Sequence, residues 1–217
     1  MSVKKLGMAS LLAMFAALVV PGIASADVAE DLAAKSLELD MVWVAVATVL
    51  VFFMQAGFMF LEIGFSRMKN AGTGVAKVFI NLAVVTIAWW AIGYGIAGFG
   101  EGSLANFVGT DGFFFHFDQD ILGTAVTADA AMLMLFGLAF CAVSLAIVWG
   151  TTLERIKFGA YAAFAVVFGA LIYPIVAHSV WGGGLLSDVG GKPVMDFAGS
   201  SVCLLYTSDA ADDPTLV

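Results

Sequence analysis

The sequence predicts an all-α polytopic membrane protein. Three observations carry that expectation. Of its 217 residues 62% are hydrophobic and 12% are charged, too little polar surface to cover a water-soluble domain of that length. Four apolar stretches beyond residue 40 each reach the roughly 20 residues that a helix needs to cross a bilayer. None of them alternates polar and apolar residues as barrel strands do, so helices are left as the structure that satisfies backbone groups in lipid.

The chain opens on Lys4 and Lys5, an apolar run from Met8 to Val20, then Pro21 and Ala24-Ser25-Ala26 before Asp27. A basic start, an apolar middle and a small-residue cleavage site make a secretory signal peptide over residues 1–26, with an uncleaved first helix as the alternative. Either way the segment from Asp27 is expected outside. The four spans follow at about 42–65, 78–99, 130–149 and 158–180.

Charge orients them. Arg67, Lys69 and Lys77 fall between the first two spans, and Arg155 and Lys157 between the last two. The segment between spans two and three carries Glu101, Asp111, Asp118, Asp120 and Asp129, with no Lys or Arg. The positive-inside rule puts the basic connections in the cytoplasm and the acidic one outside, in line with the signal peptide. The net charge of −8 therefore belongs to the outer loop and the chain ends, and nucleic acid is not an expected partner.

Within the spans a few residues need a reason. Glu62, in "FMFLEIGFSRMKN", is an ionisable group inside the first span; it is either a structural acid salt-bridged near Arg67 and Lys69 or part of a pathway. Gly57 and Gly64 share a helical face, and Gly93, Gly95, Gly98, Gly100 and Gly102 crowd the outer end of span two; both sets read as close helix packing. Phe136 and Phe140 lie four apart on one face of span three. Trp181 follows span four and precedes Gly182-Gly183-Gly184; it is either an aromatic-belt residue or a cation platform. His178 reads as a hydrogen-bonded structural residue or a ligand, and His116 as solvated. Cys141 reads as a buried thiol. No set of residues has metal-ligand spacing, and no catalytic triad, phosphate loop or dinucleotide fingerprint occurs, so no enzyme activity, metal or cofactor is expected.

Five segments, "FMQAGFMFLEIGFSRMKN", "WWAIGYGIAGFGEG", "LERIKFGAYAAF", "YPIVAHSVWGGGLL" and "DFAGSS", together resemble the ammonium transporter (Amt/MEP/Rh) family, in its Amt branch. They run in the family's order from about Leu37 to Ser201, and "AHSVWGGG" with "DFAGS" soon after it is the most specific pairing. The resemblance implies the first four helices, plus the start of a fifth, of an eleven-helix transporter fold. It implies transport of ammonium or ammonia across the cytoplasmic membrane, with the mature N-terminus outside. Expected partners are membrane lipid, two further copies in a homotrimer, and a cytoplasmic PII-type regulator. An ammonium-sensing module coupled to a signalling domain is the alternative.

The resemblance also assigns residues. Trp181 matches the vestibule tryptophan that recruits the cation. Phe140 matches the phenylalanine that flanks this site and forms part of the gate. Asp196 matches an aspartate that supports the site, and an acidic residue ahead of a helix suits the free N–H groups there. Two departures stand out. Gly137 sits where many members carry glutamine, and Leu204 stands where the first pore histidine is expected. The segment "CLLYTSDAAD" from Cys203 is what TGT CTC TTA TAC ACA TCT GAC GCT GCC GAC encodes, a string that looks like a transposase-type sequencing adapter. The expectation is therefore an N-terminal part over 27–202 and a non-native tail over 203–217, unable to conduct by itself.

Overall fold

The computed structural model describes residues 3–98, 103–104, 107–115 and 128–205. His116, Asp118, Asp120, Glu101 and the tail beyond 205 lie outside the described residues. The chain divides into two units, Met1–Trp43 and Val44–Val217. In the first, the helical backbone carries an exposed Lys35–Glu38 ion pair at 2.9 Å, one turn apart.

Helix α1 is Val3–Phe65. Among the described residues, four helical segments are long and apolar enough to cross a membrane: Asp31–Phe65, Met68–Ala97, Asp129–Thr151 and Phe158–Val180. The second starts ahead of the apolar run that marks it in the sequence. A single turn, Met68–Asn70, leads into α2, Ala71–Ala88, and this brings Lys77 inside the helix, where it is buried.

The second and fourth spans share a device. Span two widens into one π turn, Trp89–Gly93, before α3, Tyr94–Ala97. After the short antiparallel pair β1, Ser103–Leu104, and β2, Val108–Gly109, and α4, Ala128–Thr151, span four repeats it. Its α5, Phe158–Val167, passes through a π turn, Phe168–Ile172, into α6, Tyr173–Val180. Pro174 has no N–H to give to the preceding turn and its ring would clash there. The wider π turn ahead of it accommodates both facts.

The two π turns meet. A Cβ on Gly93 would collide with the Gly169 carbonyl oxygen and lie 3.1 Å from Pro174. In lipid the hydrophobic effect does not pull helices together, so such close backbone approach supplies the attraction. Span two ends at Gly98, whose φ of 64° is in the left-handed region. The close packing expected of Gly57 and Gly64 is not made here: a Cβ on either would meet nothing within 4 Å.

Aromatic residues fill the core, with Trp89, Trp149, Tyr161, Tyr173 and Phe168 all fully buried. Their polar atoms tie spans two and three together. Trp89 Nε1 donates to the Met134 carbonyl at 3.1 Å, and the Tyr94 hydroxyl to that of Ala130 at 3.3 Å. Asn81 Nδ2 donates to the Ala142 carbonyl at 3.0 Å. On the part of α1 beyond residue 43, Phe53, Phe60 and Phe65 are exposed, which is no penalty in a hydrocarbon solvent.

Candidate functional site

Trp181 closes the last turn of α6, with its N–H donating to the Ala177 carbonyl at 2.8 Å. The chain then has to reverse sharply. A Cβ on Gly182 would collide with the Ala97 carbonyl oxygen, and Gly183 sits at φ 82°. Two of the three glycines after the tryptophan are thus required by contact or conformation.

The reversal returns the chain to Trp181 at Asp196. Trp181 Nε1 donates to the Asp196 main-chain carbonyl at 2.7 Å. The Asp196 carboxylate faces the other way, into the turn at 196–202. Its Oδ1 accepts from the N–H groups of Gly199 at 2.7 Å and Ser200 at 3.0 Å. Its Oδ2 accepts from the N–H groups of Ser201 and Val202, both at 2.9 Å, and from the Ser201 hydroxyl at 2.8 Å. These are the otherwise free donors at the start of the helical turn Ser200–Leu205. Burial by itself would raise the carboxyl's pKa. The donors from Val202, Ser201 and Gly199 outweigh it and hold the group below its ordinary value, so it is anionic.

Span three supplies the opposite wall. Phe140 meets Trp181 edge to face, with ring centroids 6.2 Å apart at 79°. Phe136 meets Phe140 in the same way at 4.8 Å and 67°. These three rings with Leu133, Asp196 and Phe197 line a pocket of about 300 Å³. Gly137 lies in the same wall. A Cβ there would come within 2.6 Å of the Trp89 ring, so Trp89 occupies the place that a longer side chain at 137 would need.

The three residues singled out in the sequence, Trp181, Phe140 and Asp196, are therefore together. The pocket is mostly apolar with a π face and a fixed anion nearby, the chemistry of a small-cation site. His178 is fully buried, and its Nδ1 lies 3.0 Å from the Ala97 carbonyl; facing a carbonyl, that nitrogen carries the proton. The histidine joins span four to span two behind the pocket.

The other end of the bundle holds residues whose roles the sequence did not reveal. Arg67 does not pair with Glu62. Its N–H and its Nε donate to the Glu154 carboxylate at 2.9 and 2.7 Å, and Asn70 Nδ2 adds a third bond at 2.7 Å. Glu154 stands at φ 60°, an uncommon conformation for a residue with a side chain. The Asn70 bond, followed by those from Arg67, pulls its carboxyl down to about 2. Only the quoted run "LER" hinted at this residue, through the resemblance.

Comparison with known proteins covers the same stretch of chain. The profile of the Ammonium Transporter Family matches residues 42–206. Ammonium transporter Amt2 of Archaeoglobus fulgidus is 38% identical over 173 residues, covering 76% of this chain and 35% of its own. An ammonium transporter of Aquifex aeolicus is 35% identical over 168 residues, covering 74% of this chain and 37% of its own. Among solved structures, a Sensor Amt Protein matches 76% of this chain and 40% of its own at TM-score 0.66 and 29% identity. Candida albicans Mep2 matches 76% of this chain and 35% of its own at TM-score 0.62 and 30% identity. The chain thus spans between a third and two-fifths of the length of these relatives.

Proposed function

This chain belongs to the ammonium transporter family, and we infer that the protein it represents passes ammonium across a membrane. The family's members are multi-pass membrane transporters rather than enzymes. One observation carries the reading: Trp181 and Phe140 form an edge-to-face aromatic pair on a pocket that also holds Asp196.

The proposed sequence of events is the one the family resemblance implies, laid onto that geometry. An ammonium ion enters the pocket and rests against the Trp181 and Phe140 rings, an attraction of about 0.5–2 kcal/mol. Asp196 supports the site without ligating the ion, because both its oxygens are already used by five donors. It holds the reversal, and its main-chain oxygen orients the Trp181 indole. Passage beyond Phe140 into apolar surroundings favours neutral ammonia over the cation. Phe140 is then the gate. We take the basic Arg67 end to face the cytoplasm, as the positive-inside rule has it, and the pocket to open on the outer side of the inner membrane. Assembly as a homotrimer and regulation by a PII-type protein complete the proposal for the intact protein, and the present stretch by itself does not conduct.

The test is uptake of methylammonium by cells carrying the full-length gene. Trp181→Ala and Phe140→Ala are each expected to lower apparent affinity or rate about tenfold or more. Unchanged uptake in both would remove their assigned roles. The likeness to a Sensor Amt Protein favours a second reading, an ammonium sensor. A signalling domain after the last span of the intact gene, with ligand binding but no uptake, would establish that reading.

A further inference from the structure

A second polar cluster lies at the Arg67 end of the bundle, away from the aromatic pocket. Glu62 from the first span is 2% exposed, and Lys77 from the second is 4% exposed. Lys77 Nζ sits over the Trp149 ring of the third span, 4.1 Å from its centroid. The Tyr161 ring of the fourth span lies against the same indole, tilted by 32° with centroids 3.4 Å apart. The charged and titratable groups facing Glu62 are Lys77 and Tyr161, and Glu154 in the connection 152–157 faces Lys77.

Among the described residues, four atoms of this cluster have no hydrogen-bond partner: both Glu62 carboxyl oxygens, the Tyr161 hydroxyl and Trp149 Nε1. Their chemistry is complementary. Glu62 supplies acceptors, while Tyr161, Trp149 and Lys77 supply donors. Buried polar groups are paired almost without exception, and where they do not meet directly, ordered water bridges them. The cluster also has a way out. Lys77 lines a pocket of about 170 Å³ together with Ser66, Asn70, Thr73, Glu154 and Ile156, and Arg67, bonded to Glu154, is solvent-exposed.

We propose that Glu62, Lys77, Tyr161 and Trp149 form a hydrated proton-exchange site, with water as the bridging ligand and Glu62 as the group that takes up and releases the proton. In uptake, a hydronium ion in the Lys77 pocket passes its proton through bridging water to a Glu62 oxygen and leaves as water. Release is the reverse. Tyr161 donates to the bridging water, which in turn donates to a Glu62 oxygen. The site stands whether or not the aromatic pocket handles ammonium, since none of its residues touches that pocket.

Infrared difference spectroscopy of the full-length protein in lipid vesicles, titrated with pH in H₂O and in D₂O, tests this. The expected result is a protonated-carboxyl C=O band that grows as pH falls, shifts down in D₂O, and is lost in Glu62→Gln. Lys77→Met should raise the band's midpoint by about one pH unit or more, because a neighbouring cation is removed. Tyr161→Phe should raise it by a smaller amount, because a donor to the water that bridges to the carboxylate is lost. A band that survives Glu62→Gln, or that does not shift in D₂O, overturns the proposal. If Glu62→Gln does not fold, an unmoved midpoint in both Lys77→Met and Tyr161→Phe overturns it equally.

Discussion

Removing the Asp196 carboxylate should unfold the corner of the molecule that holds Trp181. In Asp196→Ala, five donors lose their acceptor. The loss is uneven. Gly199 and Val202 are buried, whereas Ser200 and Ser201 are at least partly exposed and can turn to water. An unsatisfied buried N–H costs about 1–3 kcal/mol, so the two buried groups alone put the destabilisation at about 2–6 kcal/mol. That is above the about 0.5–2 kcal/mol usual for losing a helix cap. The assay is SDS-titrated unfolding of the purified full-length protein, read beside ammonium uptake. Asp196→Asn keeps an acceptor for Gly199 and Ser200 but turns an NH₂ group toward the donors of Ser201 and Val202. It should therefore recover less than half of the loss. Because the folded-state pKa is depressed, the contribution is complete above the ordinary aspartate value of about 3.9 and disappears as pH falls below it. A loss under about 1 kcal/mol in Asp196→Ala, together with abolished uptake, would refute the argument. It would make the carboxylate a ligand of the ion rather than the anchor of the turn.

Three further outcomes are expected of the full-length protein. Trp181→Phe keeps an aromatic face but loses the indole bond to the Asp196 carbonyl, so the half-saturation concentration for methylammonium uptake should rise a few-fold, less than in Trp181→Ala; about 1 kcal/mol for the bond sets the scale. Gly98→Ala must hold a side chain at φ 64° with its Cβ 2.6 Å from His178 Nδ1, and SDS-titrated unfolding should show a loss of about 2 kcal/mol or more. The Glu154 carboxyl is held at about 2 by Asn70 and then by Arg67. Its folded value is depressed, so the link between the connections 66–70 and 152–157 should be intact above about pH 4.3 and weaken as pH falls toward 2. Hydrogen exchange at 152–157 should follow that course, and Arg67→Ala should show the fast exchange already at neutral pH.

Much of this molecule is decided by short stretches of chain. A run of apolar residues commits itself to a helix in lipid wherever it sits, because its backbone has no other partner there. The four spans were therefore legible in composition alone, while the π turn ahead of Pro174 in the fourth was not read from the sequence. The aromatic residues and the aspartate of the pocket were visible too, but through resemblance: neither spacing nor hydropathy says that Phe140 meets Trp181.

Pairings across the bundle were decided only by the tertiary structure. Arg67 lies five residues from Glu62 and 87 from Glu154, yet it bonds the distant one. Glu62 is left to face Lys77, a residue whose charge read as part of a loop until the helix began earlier and buried it. Gly57 and Gly64 looked like contact points, yet a Cβ on either would meet nothing within 4 Å, while one on Gly137 would press against Trp89. The sequence by itself determined where helices form and which residue types they carry, since those follow from local solvation and backbone geometry. Which side chains share a buried space depends on how the helices cross. That is set by steric fit at a few positions such as Gly93 against Gly169, and no local signal encodes it.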